Sequence, residues 1–334
     1  MRRYPAACIR LRFLAAALAA AAAAPGPAEA RTQGEAPPPV GEFTESVAVP
    51  WVMVPVVVRG PRGYVRGLER GDFRLYVDGE RVDFPDFESD AETPVSLVVL
   101  QDLSGSMANG GKLAASRRAL GQLLDRARPL DEMALATFAG GELTVDVPFT
   151  GSEEVLRESM ELWEGYGTTA IHDAVASIPE IGAEGRHPKR AVVLVSDGVD
   201  NASVLAPGEA REVVREARLP VYVVALGRGP VANGNGADGV RRGPSGARGT
   251  ASDSYGALLR RLAVETGGRY FPVRRPGEIA PAVAALLDEL RQQYVLAFPA
   301  APGPSAPRRL EVRVAVPGRV AVTHRRGYVG GPPA

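Results

Sequence analysis

The chain has 334 residues, enough for one large domain with a smaller one, and its 39 basic and 39 acidic residues give a formal net charge of zero. This balance gives no support to a nucleic acid or other polyanion as partner, since such partners select a basic surface. The only cysteine, Cys8, precedes the cleavage site predicted below. The mature chain is therefore expected to contain no disulfide and no thiol chemistry.

The first 30 residues have the pattern of a secretory signal peptide. Arginines precede an apolar run from Phe13 to Ala24, and the triplet Ala28-Glu29-Ala30 follows a Pro-Gly-Pro turn. This order predicts cleavage near Ala30 and export to the periplasm or the cell exterior. An uncleaved membrane anchor is the alternative, but the run is short and rich in alanine. No later segment is apolar enough to cross a bilayer, and residues 31–43 are typical of a flexible linker.

Residues 44–90 predict a segment of short β-strands. Valines alternate with other residues over 46–58, and a second alternating run over 72–77 ends at Asp78-Gly79, a strong hairpin signal. A returning strand is expected over Arg81–Phe87. The segment contains no arrangement of residues typical of catalysis.

Residues 91–292 alternate between strand and helix patterns, which predicts a doubly wound α/β fold with a mostly parallel sheet. The strand over 142–149 is expected to be antiparallel. Residues 227–253, rich in Gly and Arg and without periodicity, predict a flexible insertion. The other predicted strands cover 95–100, 131–138, 191–195, 221–226 and 269–273, and helices are predicted over 112–126, from 152, and over 170–178, 207–217, 254–266 and 276–292.

Residues 293–330 return to a β pattern. Strands are predicted over 293–298, 310–316 and 320–324, separated by a proline-rich loop. We expect these strands to pair with those of residues 44–90. One small all-β domain, split by the α/β segment, would result.

Oxygen-bearing side chains follow two of the predicted parallel strands and precede one helix. The carboxyl ends of parallel strands lie at one edge of a sheet, so these side chains should converge there. Carboxylates and hydroxyls are the ligands of hard cations such as Mg²⁺, whereas no cysteine or histidine cluster suits a softer ion. The three stretches are Asp102-Leu103-Ser104-Gly105-Ser106, Thr168-Thr169 and Ser196-Asp197-Gly198.

Together these stretches resemble the metal-ion-dependent adhesion site (MIDAS) of von Willebrand factor A (VWA) domains, and the segments around them resemble secreted bacterial VWA-related proteins. The resemblance implies that Ser104, Ser106 and Thr169 ligate the ion through hydroxyls. It implies that Asp102 and Asp197 hold it directly or through water. Thr169 is preferred over Thr168 because the sequence that follows it matches the family's loop-to-helix register, although both hydroxyls remain candidates. Mg²⁺ is the expected ion, with Mn²⁺ and Ca²⁺ as alternatives.

The charge of this site favours binding over catalysis. Two carboxylates roughly neutralise a divalent cation, and an open coordination position would attract a further carboxylate. The resemblance therefore implies a protein partner that contributes an Asp or Glu. The alternative is an accessory subunit of a larger enzyme or secretion complex, with a purely structural metal. An enzyme in its own right is less favoured because the sequence offers no evident general base or oxyanion stabiliser. Asp173 and Asp200 lie near the site in sequence, with either a supporting or a solvated role, and His172 is expected to be structural.

Overall fold

A computed structural model of the chain describes residues 51–89, 91–197, 200–206, 208–210, 213, 219–226, 251–300 and 306–330, without the side chains of 251–255. The predicted signal peptide, the linker and most of the predicted insertion lie outside these residues, as does most of the helix predicted over 207–217. Within the described part of the chain, no helix is both long enough and apolar enough to span a membrane.

A six-stranded sheet forms the centre of the α/β part, in the order β11-β10-β9-β6-β7-β8. Every pairing is parallel except that of β8, which runs antiparallel to β7 at one edge. All eight residues of β6 are buried, as expected for a strand covered on both faces. The strands are β6 (Val95–Asp102), β7 (Glu132–Ala139), β8 (Glu142–Thr150), β9 (Lys189–Ser196), β10 (Val221–Leu226) and β11 (Tyr270–Val273).

Helices cover both faces of this sheet. Leu97 and Val99 of β6 pack on one face with the first and last helices, while Val98 and Leu100 pack on the other. Alternate side chains of one strand thus enter two separate apolar clusters. The helices are α1 (Lys112–Leu124), α2 (Glu153–Glu161), α3 (Ile171–Ala176), α4 (Ile178–Ala183), α5 (Ala251–Thr266) and α6 (Ile279–Arg291).

The two β segments pair with each other in antiparallel sheets, as predicted. One sheet has the order β14-β1-β12-β5 with β2 beside β1, and the other has the order β15-β13-β3-β4. Their inward side chains share one apolar cluster that includes Phe73, Leu75 and Phe298. The strands are β1 (Trp51–Gly60), β2 (Gly63–Tyr64), β3 (Phe73–Val77), β4 (Glu80–Val82), β5 (Asp86–Glu88), β12 (Tyr294–Pro299), β13 (Pro307–Val314), β14 (Ala321–His324) and β15 (Gly327–Val329).

Two elements that were predicted to be continuous are each interrupted in the structure. The strand expected over Arg81–Phe87 is broken, since β4 pairs with β3 while β5 pairs with β12 in the other sheet. Pro85 lies at this break, where its missing N–H cannot serve a strand ladder. The helix expected over 170–178 is two short helices separated at Ser177. Pro179, in the first turn of α4, cannot donate the hydrogen bond that would continue α3.

Candidate metal centre

Asp102 is the last residue of β6 and is completely buried. One carboxylate oxygen accepts a hydrogen bond from the backbone N–H of Ser104 at 2.7 Å, and the other accepts one from the Ser196 hydroxyl at 2.5 Å. Burial raises the pKa of Asp102, the hydrogen bonds from Ser196 and Ser104 oppose this, and the nearby Asp197 charge adds to the rise. Two carboxylates that are buried close together repel each other, and a positive charge beside them stabilises their ionised form.

A chain of hydroxyls joins the two strand ends. The Oγ atoms of Ser104 and Ser106 are 3.1 Å apart, and the Ser106 hydroxyl donates to Asp197 Oδ1 at 2.7 Å. Parallel pairing places Gln101 of β6 opposite Val195 of β9, so Asp102 and Asp197 follow at the same edge of the sheet. Four of the five predicted ligands are thereby brought together through their side chains.

The loop that carries Thr168 and Thr169 is attached to this edge by its backbone. Gly105 N–H donates to Gly167 O at 3.1 Å, and Gly140 N–H donates to Thr168 O at 2.8 Å. Gly167 has a φ of 66°, and a Cβ there would lie 3.1 Å from Gly140 backbone atoms, so only glycine suits this close approach. Thr169 is buried and Thr168 is exposed. Among the described residues, however, the hydroxyl chain does not extend to either threonine.

Thr169 is held from both sides by the segment that follows Asp197. Its N–H donates to Asn201 Oδ1 at 2.9 Å, while its carbonyl accepts from the N–H groups of Asn201 and Ala202 at 3.0 and 3.2 Å. These reciprocal bonds fix the Thr169 backbone relative to the loop after β9. Asn201 is a functional candidate that the sequence analysis missed, and its closeness in sequence to Asp197 was the available signal.

Asp200 and Asp173 have supporting roles in the same loop. The Asp200 carboxylate accepts from the N–H groups of Ile171 and His172 at 2.8 and 3.2 Å, which caps the N-terminus of α3. Burial would raise the pKa of Asp200, but the Ser203 hydroxyl and the His172 N–H outweigh it and the pKa is lowered. Asp173 accepts from the N–H groups of Val204 and Leu205, both at 2.9 Å.

Lys112 places a positive charge directly in the site. Its ammonium donates to Asp197 Oδ2 and, at 3.2 Å, to the carbonyl of Ser106. Lys112 was not among the predicted site residues. A signal existed, because Lys112 is one of two lysines and begins a helix, where the dipole disfavours a cation.

The donor set fits a hard divalent cation. Two carboxylates and two hydroxyls lie within hydrogen-bonding distance of one another, and hard cations such as Mg²⁺ accept such ligands together with water. Over the described ranges, no group of three or more His, Cys, Asp and Glu side chains is assembled. The arrangement therefore depends on hydroxyls, and it does not resemble the Cys/His sites of zinc.

Residues 97–199 match the family model of the von Willebrand factor type A domain. No curated protein matches the chain.

Three of the similar solved structures are the following. BatB from Bacteroides thetaiotaomicron is 19% identical, with a TM-score of 0.44 over 59% of this chain and 98% of that one. A von Willebrand factor type A protein from Catenulispora acidiphila is 13% identical, with a TM-score of 0.46 over 78% and 74%. Proximal thread matrix protein 1 from the mussel byssus, with a zinc-occupied MIDAS motif, is 17% identical, with a TM-score of 0.45 over 60% and 48%. The match thus spans about half the length of the mussel protein.

The matched segment runs from within β6 to just beyond β9 and contains Asp102, Ser104, Ser106, Thr169 and Asp197. Its strand order and parallel pairing are those of a doubly wound α/β domain. Residues 97–199 are therefore similar to a von Willebrand factor type A domain and lie within a VWA-like α/β fold.

Proposed function

We propose that this protein is an exported, metal-dependent protein-binding module. Asp102, Ser104, Ser106, Thr169 and Asp197 would hold one divalent cation, with Mg²⁺ the expected ion and Mn²⁺ or Ca²⁺ as alternatives. The observation that carries the proposal is the hydrogen-bonded group of two carboxylates and two hydroxyls at the ends of β6 and β9.

The residues around the site have distinct tasks in this proposal. Ser104 N–H and Ser196 orient the Asp102 carboxylate, and the Ser106 hydroxyl orients Asp197. Asn201 holds the Thr169 loop in place. When bound, the cation supplies a coordination position that accepts an oxygen anion. Such a position takes a hard oxygen ligand, and the carboxylate of an Asp or Glu from a partner protein is a ligand of this kind.

Binding is favoured over catalysis by the composition of the site. Metal-assisted hydrolysis requires a general base positioned beside the ion, in addition to its ligands. His172 is the histidine nearest in sequence to Thr169, and its Nδ1 lies 3.5 Å from Asp200, which caps α3. This contact gives His172 a structural task.

Export and domain organisation are proposed from sequence. The apolar run from Phe13 to Ala24, which follows several arginines and precedes Ala28-Glu29-Ala30, supports cleavage near Ala30 and a periplasmic or extracellular location. We assign residues 31–43 to a linker, 44–90 and 293–330 to the β domain, and 91–292 to the VWA domain with its insertion at 227–253.

Isothermal titration of the mature chain with Mg²⁺ and Mn²⁺ tests the site. We expect saturable binding that Asp102→Ala abolishes and that Asp288→Ala retains, since Asp288 is exposed on α6 and pairs with Arg126. Ser106→Ala provides a second variant in case removal of the buried Asp102 impairs folding. Binding that is unchanged in both Asp102→Ala and Ser106→Ala would refute the site.

A pull-down from the cell envelope and the secreted fraction tests the function. Capture of a partner should require Mg²⁺ and should be lost in EDTA and in Asp102→Ala. Capture that persists in EDTA would instead support an accessory subunit with a purely structural metal.

A further inference from the structure

Each oxygen of the two site carboxylates accepts a hydrogen bond. Asp102 accepts from Ser104 N–H and from the Ser196 hydroxyl, whereas Asp197 accepts from the Ser106 hydroxyl and from the Lys112 ammonium. A cation that binds Asp197 Oδ2 must share this oxygen with the Lys112 ammonium or displace it. Which donor leaves most readily can be decided from burial and chemistry.

Lys112 is the donor whose departure costs least. Its side chain is 30% exposed, so the ammonium can regain water, whereas Ser104 donates to Asp102 through a fixed backbone N–H. The serine hydroxyls can rotate and still offer an oxygen lone pair to a metal. An ammonium has no lone pair to offer, and its charge repels a second cation at the same carboxylate.

The same lysine is unfavourably placed unless Asp197 is present. It occupies the first position of α1, where the partial positive charge of the helix N-terminus repels a cation. The Asp197 side chain is 2% exposed, so that its charge would be buried without compensation if Lys112 were absent. Each charge of this pair is thus tolerated because of the other.

We propose that Lys112 is a built-in counter-ion that occupies Asp197 in the metal-free protein and competes with the divalent cation for it. This inference rests on the proposed metal site and concerns its regulation. Lys112 lowers the affinity for the metal and stabilises the metal-free fold, so that a higher concentration of free ion is needed to fill the site. A lysine that served only to anchor α1 would affect stability without this opposite effect on affinity.

Titration of Lys112→Met with Mg²⁺ separates these roles, since methionine keeps much of the side-chain length and removes the charge. We expect Lys112→Met to bind Mg²⁺ about tenfold or more tightly than the unmodified chain, because one nearby positive charge is removed. Its melting temperature without metal should fall, and the gain in melting temperature on adding Mg²⁺ should grow. Lys112→Arg retains the charge and should bind Mg²⁺ no more tightly than the unmodified chain.

Arg118→Met is the matched control, as Arg118 is an exposed cation on the same helix. It should leave Mg²⁺ affinity nearly unchanged, which excludes a general effect of net charge. Lys112→Gln also removes the charge and replaces Lys112→Met if the latter fails to fold. The role of Lys112 is overturned, and the metal site is not, if the charge-removed variant binds Mg²⁺ no more tightly than the unmodified chain while Asp102→Ala does not bind it. Absence of Mg²⁺ binding in the folded, unmodified chain overturns both.

Discussion

Replacement of Asn201 by alanine should weaken metal binding without removing any proposed ligand. Asn201 Oδ1 accepts the hydrogen bond of Thr169 N–H at 2.9 Å, and Thr169 is 3% exposed. Without that acceptor the N–H remains buried and unsatisfied, at a cost of about 1–3 kcal/mol. The two backbone bonds from Asn201 and Ala202 to Thr169 O do not depend on the side chain and should persist.

The size of the effect on Mg²⁺ affinity depends on how this cost is divided between the metal-bound and the metal-free protein. If it fell wholly on the metal-bound state, affinity would drop about 5- to 150-fold. Because the bond is also lost from the metal-free protein, part of the cost appears as lower stability in both states. We therefore expect a loss near the lower end, about tenfold, together with a reduced free energy of unfolding.

Isothermal titration with Mg²⁺, combined with urea unfolding, measures both quantities. Asn201→Asp retains an acceptor oxygen and should preserve binding. Ser203→Ala alters the same loop through its contacts with the N–H groups of His172 and Asp173, and therefore reports general loosening. The reasoning fails if Asn201→Ala binds Mg²⁺ as the unmodified chain does, or if Ser203→Ala weakens binding equally.

Two further predictions concern the pair Thr168 and Thr169 and the buried ion pair that Asp131 forms with Arg291. Thr169→Ala should weaken Mg²⁺ binding in a titration while Thr168→Ala should not, because Thr169 is the buried member of the pair; the reverse result would reassign the ligand. Burial would raise the pKa of Asp131, but Arg291 and two backbone N–H groups outweigh it, and the pKa is lowered. This carboxylate therefore stabilises the fold above its unfolded pKa of about 3.9, and the contribution is lost as the pH falls through the lower folded pKa. Asp131→Asn leaves the buried Arg291 uncompensated, so in urea unfolding at pH 7 it should be about 3–5 kcal/mol less stable than the unmodified chain. This difference in the free energy of unfolding should shrink below pH 4. A difference that stays constant with pH would contradict the prediction.

The sequence was sufficient to predict the α/β fold and the β-strands of the two flanking segments, because both follow from local patterns. The buried run of β6 and the alternation of β13 are visible in a few consecutive residues. The break at Pro85 was missed because the two halves of that segment join different sheets, one of them through β12, which lies about 200 residues away. Such a choice depends on tertiary pairing and has no local signature.

The same difference between local pattern and tertiary contact explains which residues of the candidate site were predicted and which were missed. Asp102 and Asp197 each lie at a strand end, so parallel pairing of β6 with β9 is enough to bring them together. Lys112 and Asn201 act through side chains that reach another loop, 85 residues away for Lys112 and 32 for Asn201. Position in the sequence can mark these two residues as candidates, but it does not specify which groups their side chains contact. The strand ends thus determine where a cation would be held, whereas Lys112 and Asn201 are the residues through which we expect its affinity to be set.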